Sequence, residues 1–397
     1  MNSRTTNNGL PPEMTSGMTE AARLTRAGRL SEATALIQRL LHGTAPGTAS
    51  PLAPAKSGIV IDAEPIASTV DEPAAATSRR EAPWPNLQDA LHDLTARFTP
   101  ANGGLRPART AEPLPAGASF TTLTHSAEAG TRQYKLYVPS GRDGQRLPLV
   151  VMLHGCTQSP DDFAAGTRMN ALAEEHGLLV AYPAQAASAN AQKCWNWFDP
   201  DCQQRDRGEP ALIAGITRQI IRDHPVDPAR VYVAGLSAGG AAAAIMGAAY
   251  PDLYAAIGVH SGLACGAARD LPSALAAMRQ GGAAARVRKG DRIVPTIVFH
   301  GDKDMTVHPR NGDMVINPSK AAGALRETTQ RGQVPGGRAY SRTLYTDSTG
   351  RELCEQWTIH GAGHAWSGGS PAGSYTDPQG PDAAREMLRF FLDHPRP

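Results

Sequence analysis

The chain has 397 residues, and its 39 Lys plus Arg nearly balance 37 Asp plus Glu, leaving a formal net charge of +2. That balance gives no electrostatic footprint for nucleic acid, and no apolar run is long enough to span a membrane. The length admits one large α/β domain with further material attached.

Met1 to Gly17 is polar and has no apolar centre, so no signal peptide is read and a cytoplasmic location is expected. Residues 1–43 form a first segment. Within it, 18–42 predicts a helical hairpin, closed at Gly28 and restarted at Ser31. The second helix carries Ala33, Leu36, Ile37, Leu40 and Leu41 on one stripe. Residues 44–115 are rich in Ala, Pro, Ser, Thr and Gly and predict a linker, because their apolar content is too thin for a core. One island, Leu87–Phe98, has Leu87, Leu91, Leu94 and Phe98 at helical spacing.

Residues 116–397 change character. Strands are predicted at Tyr134–Val138, Leu149–Leu153, Leu178–Tyr182, Val231–Val233, Leu253–Val259, Thr296–Phe299 and Leu353–Ile359. Helices are predicted at Asp161–His176, Pro210–His224, Ala241–Tyr250, Ser319–Gln330 and Pro381–His394. Strands alternating with helices imply a mostly parallel sheet covered on both faces.

Val231–Val233 runs into Gly235-Leu236-Ser237-Ala238-Gly239, and an alanine-rich helix follows. A G-x-S-x-G turn between strand and helix is the setting of a nucleophile elbow, with the hydroxyl held exposed on a strained turn. The N–H of Ala238, at the helix start, would face developing negative charge. A serine nucleophile needs a base and an orienting acid, in the order Ser, Asp/Glu, His on such a fold. Asp304, in the loop after Thr296–Phe299, is the predicted acid, with Asp302 as its alternative. His364, on a glycine-rich loop after Leu353–Ile359, is the predicted base, and His360 is read as structural. Leu149–Leu153 leads into His154-Gly155-Cys156, where the backbone N–H of Cys156 would supply the second oxyanion donor.

Cys194-Trp195-Asn196-Trp197-Phe198 places three aromatics on a loop, where they are either core plugs or substrate walls. Trp195 and Trp197 are assigned to substrate binding together with Trp366, the near neighbour of His364. The five cysteines are Cys156, Cys194, Cys202, Cys265 and Cys354. They fit no zinc motif and their odd count leaves a thiol over. Cys156–Cys194 and Cys194–Cys202 are both open as pairings.

These blocks together resemble the polyhydroxybutyrate depolymerase family of esterases, which also takes in acetyl xylan and feruloyl esterases. The carriers are Leu-His-Gly-Cys-Thr-Gln at 153–158, Cys-Trp-Asn-Trp-Phe at 194–198 and Gly-Leu-Ser-Ala-Gly-Gly at 235–240. His-Gly-Asp-Lys-Asp-Met-Thr-Val at 300–307 and Gly-Ala-Gly-His-Ala-Trp-Ser-Gly-Gly at 361–369 complete the set. The resemblance covers roughly residues 117–394. It implies an α/β-hydrolase fold and a cofactor-independent, metal-free serine esterase with Ser237, Asp304 and His364 in the three roles. Its partner would be a short-chain hydroxyalkanoate ester or polyester oligomer. A feruloyl or acetyl xylan substrate is the alternative, and a catalytically inert granule- or partner-binding protein is the rival from another class. Secreted members usually carry a signal peptide, so an extracellular location is the alternative to a cytoplasmic one. Polymer-degrading members often carry a binding domain after the catalytic one. None is read after residue 394, so weak action on crystalline polymer is expected.

Overall fold

A computed structural model describes residues 114–142, 144–283 and 292–397. The helical hairpin at 18–42, the linker up to residue 113 and the Leu87–Phe98 island lie outside these residues.

The chain enters through a hairpin of β1 (Ser119–Ala127) and β2 (Gly130–Val138). Then follow β3 (Leu147–Leu153), α1 (Pro160–Thr167), α2 (Met169–His176), β4 (Leu179–Pro183) and α3 (Gly208–Asp223). The centre is β5 (Val226–Leu236), α4 (Ala238–Ala249) and β6 (Ala256–His260). After α5 (Leu271–Gln280) come β7 (Thr296–Gly301), α6 (Arg310–Ala322), β8 (Arg326–Gln333), β9 (Ala339–Thr346) and β10 (Glu352–Ile359). A small pair, β11 (Trp366–Ser367) and β12 (Thr376–Asp377), precedes the closing helix α7 (Ala383–Asp393).

Ten strands form one sheet in the order β1-β2-β4-β3-β5-β6-β7-β10-β9-β8. The six from β4 to β10 in that order run parallel, and antiparallel strands flank them on both sides. Alternation along the strands sorts side chains to two cores. In β3, Leu149, Val151 and Leu153 join Ile213, Ile216 and Ile220 of α3 and Ile245 and Met246 of α4. Val150 and Met152 join Phe163 of α1, Leu172 of α2, and Met387, Leu388 and Phe391 of α7 on the opposite face. Burial on both faces explains why β3 reads as an unbroken apolar run. Each such side chain contributes about 1.5–3 kcal/mol by leaving water. Because β3, β5, β7 and β10 are parallel, their carboxyl ends share one edge, where ligands bind in such sheets.

Two predicted helices differ from the structure. The one expected at Asp161–His176 breaks at Arg168, whose φ is 55°. Thr167 Oγ1 donates to the Phe163 carbonyl (2.8 Å) and accepts the Met169 N–H (3.4 Å), so a side chain replaces helical bonds there. The helix expected at Ser319–Gln330 instead starts at Arg310 and contains Pro318, which reads locally as a start signal. Arg326–Gln333 is an edge strand, exposed along nearly all its length. Its partner β9 gives it strand structure through register pairs such as Thr329 with Thr343, a non-local cause with no apolar alternation to announce it.

Candidate active site

The turn after β5 places Ser237, which is 5% exposed, at φ 58°, ψ −119°, a conformation that costs a non-glycine residue strain. The flanking glycines make room for this. A Cβ on Gly235 would lie 2.3 Å from the Gly239 carbonyl group, and one on Gly239 would lie 2.0 Å from the Leu153 carbonyl oxygen. Strand, turn and helix can therefore approach this closely only without those side chains. The Ser237 N–H donates to the His260 carbonyl at 2.9 Å, fixing the turn to β6.

The acid loop leaves β7 and the histidine loop leaves β10, its parallel neighbour. Backbone bonds zip the two loops together: Asp302 N–H to the Ile359 carbonyl (3.1 Å) and Lys303 N–H to the Ala362 carbonyl (3.0 Å). At the end of this zipper, His364 Nδ1 and Asp304 Oδ2 are 2.7 Å apart. Oδ1 of Asp304 accepts the N–H groups of Thr306 and Val307, each at 2.9 Å. His300 Nε2 lies 3.4 Å from Oδ2. Burial acts to raise the pKa of Asp304, but the His364 charge and the hydrogen bonds of both histidines outweigh it. The carboxyl is held well below the usual carboxylate range. A carboxylate bound this way makes Nδ1 the protonated nitrogen of His364 and leaves Nε2 as the basic one. That Nε2 is buried and has no hydrogen-bond partner among the described residues.

Asp302, the alternative acid, lies beside a different histidine. Its Oδ2 is 3.0 Å from His360 Nδ1, and its Oδ1 accepts the Gly361 N–H at 2.7 Å. It pins the root of the histidine loop and does not reach His364 through any hydrogen bond.

The loop after β3 brings Cys156 to the same edge. Among the described residues, no turn or loop backbone bond takes up the N–H of Cys156 or of Ala238, the two candidate oxyanion donors. Gln158 shapes this loop, its Oε1 accepting the Gly155 N–H at 2.9 Å. Its Nε2 donates to Asp162 (2.9 Å), which in turn accepts the Ser374 N–H (2.9 Å). His154 donates Nδ1–H to the Gly155 carbonyl (2.8 Å) and accepts the Gln185 N–H on Nε2 (3.1 Å). Burial pushes its pKa down to about 4, which keeps the ring neutral for that pair of bonds. Gln185 and Asn196 both donate to Glu209, a buried carboxyl whose pKa burial raises.

The disulfide pairs Cys156 with Cys194, which joins the oxyanion loop to the Cys-Trp-Asn-Trp-Phe loop. Cys202, the competing partner, is a free thiol, as are Cys265 and Cys354.

The three tryptophans assigned to substrate binding are all buried. Trp195 is 0% exposed, and its Nε1 donates to the His154 carbonyl at 3.1 Å. Trp197 sits in the core on the α3 and α4 side of the sheet. Trp366 is 1% exposed, edge-on to Phe163 and stacked on His260. Their large apolar area is buried beneath the site, where it supports the loops. Gln158, Gln185, Glu209 and His260 carry no assignment in the sequence reading. Gln158 lies inside a quoted block, and nothing local marks the other three.

This sheet, with a nucleophile turn after β5 and an acid and a histidine after β7 and β10, is an α/β-hydrolase fold. An acetyl xylan esterase from Aspergillus awamori has the same fold, with a TM-score of 0.54 at 18% identity over 69% of this chain and 99% of that one. Residues 132–331, about half of the chain, match the family described as esterase PHB depolymerase, and the chain belongs to that family. The match includes Ser237 and Asp304 and ends before His364. The chain is 33% identical to poly(3-hydroxyalkanoate) depolymerase C of Paucimonas lemoignei over 262 residues, which are 62% of each protein. It is 27% identical to poly(3-hydroxybutyrate) depolymerase of Ralstonia pickettii over 289 residues, 66% of this chain and 57% of that one. Feruloyl esterase B of Thermothelomyces thermophilus is 27% identical over 250 residues, 58% of this chain and 84% of that one. The chain spans about 60% of the length of the two depolymerases.

Proposed function

We propose that the chain is a serine carboxylic ester hydrolase of the PHB depolymerase type, acting on short-chain hydroxyalkanoate esters through an acyl-enzyme. Ser237 Oγ attacks the ester carbonyl carbon while His364 Nε2 takes its proton. The N–H groups of Ala238 and Cys156 hold the oxyanion. His364 returns the proton to the departing alcohol, and Asp304 stabilises the imidazolium in between. Water, deprotonated by His364, then releases the acid. The observation that carries this reading is the buried, unpartnered Nε2 of a histidine whose other nitrogen is 2.7 Å from Asp304.

The hydroxyalkanoate class rests on the two depolymerase relatives. A feruloyl or acetyl ester is the second reading, favoured by the 84% of feruloyl esterase B that the match covers. A fluorophosphonate probe tests the mechanism. Covalent labelling at Ser237 is expected, and folded protein that stays unlabelled would point to an inert binding module. A hydrolysis screen across hydroxybutyrate oligomers, feruloyl esters and acetylated xylan then separates the substrate classes.

A further inference from the structure

His260 ends β6, between the strand that carries the nucleophile turn and the strand that carries the acid loop. It contacts the candidate machinery twice. Its carbonyl accepts the N–H of Ser237 at 2.9 Å. Its ring Nε2 accepts the N–H of Ser367 at 2.9 Å, three residues beyond His364 on the histidine loop. Nδ1 lies 3.2 Å from Ser261 Oγ. The ring stacks on Trp366 (5.0 Å between ring centroids) and on Phe299 (5.8 Å). One residue thus grips the nucleophile turn by its backbone and the histidine loop by its side chain. Burial foremost, with the neighbouring His300 and His364, drives the pKa of the ring far down. The ring is therefore neutral, with Nε2 free to accept.

We infer that His260 is a positioning residue which sets the placement of His364 relative to Ser237 through the Ser367 N–H. The inference rests on the esterase reading above. Asp302 and His360 hold the histidine loop at its root. His260 is bonded to both, to the Ser237 turn by its carbonyl and to the histidine loop by its ring. The acceptor on Nε2 matters more in this account than the aromatic ring around it.

Three substitutions in the full chain separate acceptor from ring. His260→Gln carries an amide oxygen to about the depth of Nε2. His260→Asn stops short, at the depth of Nδ1. His260→Phe keeps the stack and removes the acceptor. The readouts are kcat and KM on a soluble p-nitrophenyl ester, the rate of fluorophosphonate labelling at Ser237, and thermal unfolding. The Gln variant should stay within about threefold of wild type. The Asn and Phe variants should lose about 10- to 100-fold in kcat and labelling rate with KM within about twofold, as for small misplacements of reacting groups. If Phe does not fold, the Gln–Asn contrast decides alone. Wild-type kcat in the Asn variant, or equal losses in Gln and Asn, would overturn the inference while leaving the esterase reading intact. A wild-type chain that neither labels nor hydrolyses esters would remove both.

Discussion

Asp304→Asn tests the candidate triad at its most constrained atom. The carboxylate offers two oxygens to four neighbours. Oδ1 takes two backbone N–H groups at 2.9 Å, and Oδ2 faces His364 Nδ1 at 2.7 Å and His300 Nε2 at 3.4 Å. An asparagine has one oxygen. If that oxygen keeps the two backbone donors, its NH₂ group faces His364 Nδ1. The imidazole must then carry its proton on Nε2, where it cannot accept one from Ser237. If the amide flips, the NH₂ group meets the N–H groups of Thr306 and Val307, and the loop itself is strained. The first arrangement keeps more hydrogen bonds, so the fold should persist with the wrong tautomer. The expected loss is about 10⁴-fold in kcat, equivalent to about 5.5 kcal/mol of barrier. The unmatched donors should cost about 1–3 kcal/mol of stability. Initial rates on a soluble short-chain ester, with urea unfolding on the same samples, measure both. Asp302→Asn is the control and should cost far less in rate, since Asp302 touches His360 and Gly361. Activity above about a tenth of wild type in Asp304→Asn, or the reverse ranking of the two variants, would refute the reasoning.

Ser237→Ala and His364→Ala should each lower kcat by about 10⁴ to 10⁶, and the double variant should be little worse; additive losses would mean the two do not act as a unit. Replacing Cys156 and Cys194 together by serine opens a 38-residue span and should cost about 4 kcal/mol of stability, with a fall in kcat as the oxyanion loop loosens. Unchanged kcat in that variant would show that the loop is held without the bridge. Trp195→Ala should lose about 3–5 kcal/mol with KM on a small ester unaltered, whereas a raised KM at full stability would return this residue to the substrate wall. His154 has a folded pKa of about 4 against 6.5 unfolded, so the unfolded chain takes up a proton that the native ring refuses. Its contribution is complete above about pH 6.5 and fades as pH falls toward 4, in total on the order of 3 kcal/mol. His154→Gln should therefore flatten the decline of stability over that window in urea titrations, and an unaltered slope would place the acid sensitivity elsewhere.

Much of the fold is legible in the residues because its signals are local. The buried parallel strands announce themselves as short apolar runs. The turn at Ser237 does so through two glycines and an alanine-rich helix, and α7 through its apolar stripe. Asp304 and His364 stand out as candidates because each follows a strand, in the chain order that an α/β-hydrolase requires. Where side chains or strands answer to distant partners, local pattern fails. Arg326–Gln333 has no apolar alternation and becomes a strand only because β9 lies beside it. The break at Arg168 is a different case, since the bonds of Thr167 there go to the near neighbours Phe163 and Met169 and periodicity alone would continue the helix.

At the candidate site the division is the same. Residue order alone determined which serine, acids and histidines could meet at one sheet edge. Tertiary structure decided that Asp304 lies against His364 while Asp302 is given to His360. It also decided that Cys194 pairs with Cys156 over the nearer Cys202, and that the three tryptophans are buried. His260 shows why: its two contacts reach Ser237 and Ser367, 23 and 107 residues away along the chain. No periodicity or spacing carries contacts of that kind. They come into being only when parallel packing brings the ends of β5, β6 and β10 to a common edge.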